Sequence, residues 1–147
     1  MTRAPIAIAV ATIVLGPAPS VAGGTTAPAS LTAPAAARLG SRVTVHAIDV
    51  DPGRYRLFLE YTLLAPVGVT PTGCLAPIGG AVTAVRGRVT ISGRLPRRLA
   101  CHQAEGPVLG HLTVHAGRYA LDFGGFLAPA GFTVGQTFIK RAIRLTG

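Results

Sequence analysis

The chain has 147 residues, with 14 basic against five acidic side chains and a formal charge of +9. Half of it is hydrophobic (49%), enough for one modest core. That length excludes a second full domain, and no segment is long and apolar enough to span a bilayer, which takes roughly 20 residues.

The N-terminus reads "MTRAPIAIAVATIVLGPAPSVAGG". A short region carrying Arg3 precedes an apolar run from Ile6 to Leu15, and a Pro-containing stretch ends in Ser20-Val21-Ala22. This is the layout of a secretory signal peptide, with cleavage expected after Ala22. Residues 1–22 carry one base and no acid, so the mature chain keeps 13 basic and five acidic side chains. All the bases but Lys140 are arginines. A GC-rich coding bias accounts for Arg over Lys but not for the scarcity of acids. The predicted location is secreted or extracytoplasmic, in the cell envelope.

Residues 23–37, "GGTTAPASLTAPAAA", are rich in Thr, Ala and Pro without apolar periodicity, and are read as a flexible linker. The remainder, 38–147, is read as a single all-β domain. Its prolines punctuate runs in which the apolar period is two: Tyr55, Leu57, Leu59 and Tyr61 alternate with Arg54, Arg56 and Glu60, and Val89, Ile91 and Leu95 with Arg88, Thr90, Ser92 and Arg94. Several short antiparallel strands predict a small β-sandwich of immunoglobulin-like size or a closed β-barrel. The Cys…Trp…Cys hallmark is absent, because there is no Trp.

One phrase occurs twice: "TVHAIDVDPGRYRL" at 44–57 and "TVHAGRYAL" at 113–121. Pro52-Gly53 in the first and Gly117 in the second supply turns, so each copy is expected to be a β-hairpin with Tyr facing the core. The likeness continues into "LAPVG" (64–68) and "LAPAG" (127–131). Repeated architecture explains the pattern better than a repeated ligand site.

Cys74 and Cys101 are an even pair in a chain expected to be exported, and predict a disulfide. Closing a loop of that length is worth ~3.5 kcal/mol in the chain-entropy estimate. Neither cysteine has a CxxC neighbour, so the bridge is read as a staple.

Chemistry is thin. His111 and His115 in "HLTVH" would share a metal on a helix, but on a strand they lie about 13 Å apart. His46 approaches His115 only if the two repeats pair across a sheet, and His102 is read as a loop residue. No metal site is assigned. The serines after the signal peptide, Ser30, Ser41 and Ser92, lack a nucleophile elbow. Among Asp49, Asp51, Glu60, Glu105 and Asp122 no pair is set for glycoside hydrolysis. An Asp122–His115 dyad would lack a nucleophile. No catalytic residue and no cofactor are assigned.

What remains is the arginine pattern. Arg86, Arg88 and Arg94 share parity, and Arg97 and Arg98 follow Pro96, so the five are expected on one anion-binding ridge. Guanidinium suits phosphate because its planar fork engages two oxygens at once. The sequence therefore predicts a non-catalytic binding or structural module attaching to anionic envelope polymers or lipid head groups. Nucleic acid fits poorly, since outward-facing aromatics for base stacking are few. The alternative is a small barrel binding an apolar ligand in its interior, and the third choice a secreted enzyme. Oligomeric state stays open.

Overall fold

The computed structural model describes residues 28–63, 72–103, 106–126 and 138–147. The expected signal peptide and the "LAPVG" and "LAPAG" segments lie outside them. In chain order the strands are β1 (Ser30–Thr32), β2 (Ala36–Arg38), β3 (Arg42–Ile48), β4 (Arg54–Leu63), β5 (Thr72–Pro77), β6 (Val82–Thr83), β7 (Arg88–Arg94), β8 (Arg98–Gln103), β9 (Val108–Thr113), β10 (Gly117–Phe126) and β11 (Phe138–Thr146). The smaller sheet has the order β1-β3-β7. The larger runs β2-β11-β10-β4-β5-β8-β9, with β6 paired to the start of β4. Both sheets keep edge strands, so the domain is an open sandwich and not a closed barrel.

The period-two alternation sorts side chains between core and solvent as the sequence predicts. Val43, Val45, Ala47, Val89 and Ile91 of the small sheet join Tyr55, Leu57, Leu59, Leu121, Phe123, Ile143 and Leu145 of the large one in a single buried cluster. Each such side chain contributes ~1.5–3 kcal/mol on burial. Tyr55 and Phe123 stack with ring centroids 4.9 Å apart, filling the space between the sheets.

Neither repeat is a hairpin. β3 belongs to the small sheet and β4 to the large one, so residues 49–53 carry the chain from sheet to sheet. β9 and β10 share the large sheet but are not neighbours in it. Each copy is an arch, and a tyrosine ties each arch. Tyr55 Oη donates to the carbonyl oxygen of Asp51 at 2.8 Å, and Tyr119 Oη accepts from the backbone N–H of His115 at 3.1 Å, four residues upstream in both cases. The two return strands, β4 and β10, then pair antiparallel at the centre of the large sheet.

Two strands fall inside the stretch read as a linker. β1 pairs with β3 and buries Leu31, while β2 pairs parallel with β11. Ala33–Ala35 cross between the sheets, and Pro34 is tolerated there because it interrupts no ladder.

Cys74 and Cys101 form the predicted disulfide. They stand directly opposite one another on β5 and β8, with Cα atoms 3.9 Å apart. The bridge joins two strands of one sheet and closes the excursion that carries β6 and β7.

Where that excursion turns, Gly79 (φ +69°) and Gly93 abut. A Cβ on Gly93 would overlap the Gly79 backbone nitrogen and lie 2.7 Å from its Cα. Main chain on both sides leaves nothing to give way. On the outer face of the large sheet, Lys140 Nζ lies 2.7 Å from Glu60 Oε2 and 3.8 Å from Asp122 Oδ2, tying β4, β10 and β11. Burial works to raise the Glu60 pKa, but the hydrogen bond and charge of Lys140 prevail and hold it below the ordinary carboxyl range. Asp122 is pushed up, because its burial and the Glu60 carboxylate outweigh the pull of Lys140.

Gly93→Ala is expected to lower stability by ~2 kcal/mol or more in urea unfolding, while Gly80→Ala, with nothing within 4 Å of its Cβ, has little effect. Lys140→Met is expected to cost up to ~1 kcal/mol at pH 7, since the pair is partly exposed. Glu60, with its lowered folded pKa, contributes stability present above its unfolded value near 4.5 and lost as pH falls through the folded value. The gap between Lys140→Met and wild type should therefore narrow as pH falls below 4.5 and through the lowered folded value of Glu60.

Candidate functional site

The outer face of the small sheet is built by alternate residues of "RVTVHAI" and "RVTISGR", which run antiparallel. Its rungs are Arg42 opposite Arg94, Thr44 opposite Ser92, His46 opposite Thr90, and Ile48 opposite Arg88. β1 adds Thr32 beside His46 and Ser30 beside Ile48. Thr44 Oγ1 donates to Ser92 Oγ at 2.9 Å, Arg42 Nη1 reaches the same oxygen at 3.5 Å, and His46 Nδ1 lies 3.0 Å from Thr90 Oγ1. Strands β1, β3 and β7 contain no carboxylate. Arg42, Arg88 and Arg94 thus share a hydroxyl-lined face whose three strands carry no carboxylate.

The five arginines expected on one ridge are distributed differently. Arg88 and Arg94 lie on this face, about 20 Å apart at strand spacing. Arg86 sits at the tip of the β6–β7 connection with φ +52°, followed by Gly87 at +70°. Val85 and Arg88 exchange backbone hydrogen bonds of 2.9 and 3.0 Å across it, which makes it a two-residue type I′ turn. Arg97 is exposed on the connection from β7 to β8, its carbonyl oxygen accepting from the Val114 N–H at 2.9 Å. Arg98 is opposite Thr113 on the outer face of the large sheet, beside buried Leu99. The chain changes sheets between Arg94 and Arg98, and the outward direction reverses with it. Arg42 was missed in the sequence reading. The shared "RVT" at 42–44 and 88–90 was its signal, and antiparallel pairing sets Arg42 against Arg94.

The other candidates do not assemble. His46 is on β3 of the small sheet, His115 is in the connection between β9 and β10, and His111 is exposed on β9. His102 Nδ1 is 3.0 Å from the Gly106 carbonyl. Among the described residues no three His, Cys, Asp or Glu side chains are grouped to hold a metal ion. Asp122 is engaged with Lys140 and not with His115.

Beside the face, β1 ends at Thr32, so no strand continues the sheet alongside Arg42–Val45. An open groove of about 520 Å³ occupies that edge. Its walls are Thr32, Ala33, Pro34, Ala36 and Ala37 of the crossover, facing Ser41–Thr44 and His46. The volume lies within the range of small-ligand sites.

No helix among the described residues is long and apolar enough to cross a membrane. No protein-family model and no curated protein matches the chain. Among solved structures, macromomycin is similar with a TM-score of 0.52 at 17% identity, over 80% of this chain and 99% of that one. At that identity the likeness is one of fold: the chain is a small all-β domain of the same architecture as macromomycin.

Proposed function

We propose that the chain is an exported, non-catalytic β-domain that attaches to an anionic envelope polymer through the outer face of its small sheet. The observation that carries this reading is the set Arg42, Arg88 and Arg94 on one sheet face whose strands bear no carboxylate. The signal-peptide layout and the Cys74–Cys101 bridge support export. A polymer suits the face better than a lipid surface, since Ile48 is its single large apolar side chain, and membrane insertion draws on buried apolar area.

A second reading, a ligand-binding β-domain with an apolar ligand, draws on the large sheet. Its outer face presents Phe58, Leu75, Pro77 and the half-exposed Phe138, and the fold shared with macromomycin supports it at the level of fold. Stacked Tyr55 and Phe123 fill the space between the sheets, so such a ligand would lie on this outer face and not in an interior.

Two variants of equal net charge separate face from bulk charge. Arg42→Gln/Arg88→Gln/Arg94→Gln removes the three arginines of the small sheet, and Arg98→Gln/Arg118→Gln/Arg144→Gln removes three from the outer face of the large one. Titrated against a wall phosphopolymer, the first is expected to lose at least ~30-fold in affinity and two to three in the log–log salt slope, about one per lost contact. The second should stay within a few-fold. Equal losses in both would reduce the effect to net charge, and stronger binding to anionic vesicles than to polymer would move the partner to a membrane.

A further inference from the structure

Arg42 and Arg94 face each other directly across the β3–β7 ladder. Like charges in that position repel and destabilise a strand pair. Neither forms an ion pair among the described residues. One rung further in, Ser92 Oγ accepts from Thr44 Oγ1 at 2.9 Å and from Arg42 Nη1 at 3.5 Å. A hydroxyl has two acceptor sites and one donor hydrogen. Thr44 and Ser92 share one hydrogen bond between two hydroxyls, so the pair keeps one hydroxyl hydrogen to give, with no further acceptor recorded for it among the described residues. Two arginines on one rung and a hydroxyl on the next are therefore grouped at this end of the ladder, on strands that carry no carboxylate.

We infer that Arg42, Arg94 and Ser92 form a discrete seat for a single phosphate group, carried on a compact polyol or sugar body that lies in the adjoining groove. The inference rests on reading this face as the anion-binding one, and adds to it a stoichiometric site with a defined ligand class. Phosphate supplies what the cluster lacks: paired oxygens for each planar fork and one more for the remaining hydroxyl hydrogen. Arg42 joins seat to groove, since its side chain reaches Ser92 and it also lines the cavity. The groove carries the hydroxyls of Thr32, Ser41 and Thr44 beside the small side chains of Ala33 and Ala37, and so suits hydroxyl-rich matter of small cross-section. The same chemistry is offered by a free sugar phosphate or by a repeating unit of a phosphopolymer.

The test is titration of the isotopically labelled, disulfide-intact protein with inorganic phosphate, glycerol 3-phosphate and a wall phosphopolymer, followed by amide and guanidinium NMR. Saturation at one phosphate per chain is expected, with shifts confined to Arg42, Thr44, Ser92 and Arg94, and with glycerol 3-phosphate tighter than inorganic phosphate. Ser92→Ala should weaken it about tenfold, as loss of a hydrogen bond to a charged group does. Arg42→Lys should weaken it comparably, because an ammonium keeps the charge and loses the fork. Arg118→Gln, on the outer face of the large sheet, should leave it within twofold. The amide spectrum of each variant reports whether its fold is kept. Shifts that never saturate and spread over arginines of both sheets would overturn the seat, as would an unaltered Ser92→Ala. Equal affinity for the two small phosphates would remove the groove from the proposal. Polymer binding without a saturable seat would leave the reading of the face standing alone. A saturable seat without polymer binding would keep the site and remove the polymer as partner.

Discussion

The fold hangs on how the chain leaves one set of strands for another, and a tyrosine hydroxyl closes both repeated corners. Tyr55 bonds back to Asp51 and Tyr119 to His115, each across four residues. A buried phenol must find a partner for its hydroxyl, and an arch leaves backbone groups that a ladder would otherwise satisfy. The same side chain meets both needs. The Tyr55 ring stacks on Phe123 in the core while its oxygen holds the backbone at the rim. The repeated "TVHA…GRYxL" phrase therefore recurs because a corner recurs. With the first corner in place, β3 is committed to the small sheet and β4 to the large one. The outer face of β3 is thereby separated from the rest of the molecule's polar surface.

That separation decides the electrostatics. Of the five acids, Asp49 and Asp51 flank the first arch, and Glu60 and Asp122 are gathered around Lys140 on the large sheet. None of these four belongs to β1, β3 or β7, the strands of the face that carries Arg42, Arg88 and Arg94. A coding bias explains why the bases are arginines but not why the acids stand elsewhere. Both carboxylates on the strands of the large sheet are gathered at the Lys140 cluster, while the strands of the small sheet carry guanidinium and no carboxylate. Such a face is costly to maintain for stability alone, since Arg42 and Arg94 repel at closest register.

Much of this architecture was legible in the residues, because a period of two leaves little freedom over which side chains are buried. Tyr55, Leu57, Leu59, Val89, Ile91 and Leu95 are assigned inward from spacing alone, and the disulfide from cysteine count and compartment. What spacing does not carry is the destination of a turn. "VDPGR" marks a reversal whether the chain returns to the same sheet or crosses to the other, so a hairpin and an arch read alike. The Arg86–Gly87 turn was hidden for a related reason. Type I′ turns favour Asn or Asp at the first central position, and an arginine at φ +52° continues the apparent alternation of its strand. β1 and β2 were hidden because an edge strand of three residues needs only one apolar contact, here Leu31, and composition averages it away.

The same ambiguity governs the candidate site. A linear reading places Arg86 to Arg98 on one ridge because it assumes that outward keeps one meaning along the chain. In a two-sheet fold outward reverses whenever the chain changes sheets, and Pro96 stands at such a change. Charge neighbours are then set by strand pairing and not by sequence distance. Arg94 lies four residues from Arg98 but faces the opposite side of the sandwich, and it is 52 positions from Arg42, its partner in the ladder. A functional surface on a β-sandwich is therefore better sought among residues of equal parity on paired strands than within any one run. On this chain that criterion selects Arg42, Ser92 and Arg94, beside the groove left where β1 departs from β3.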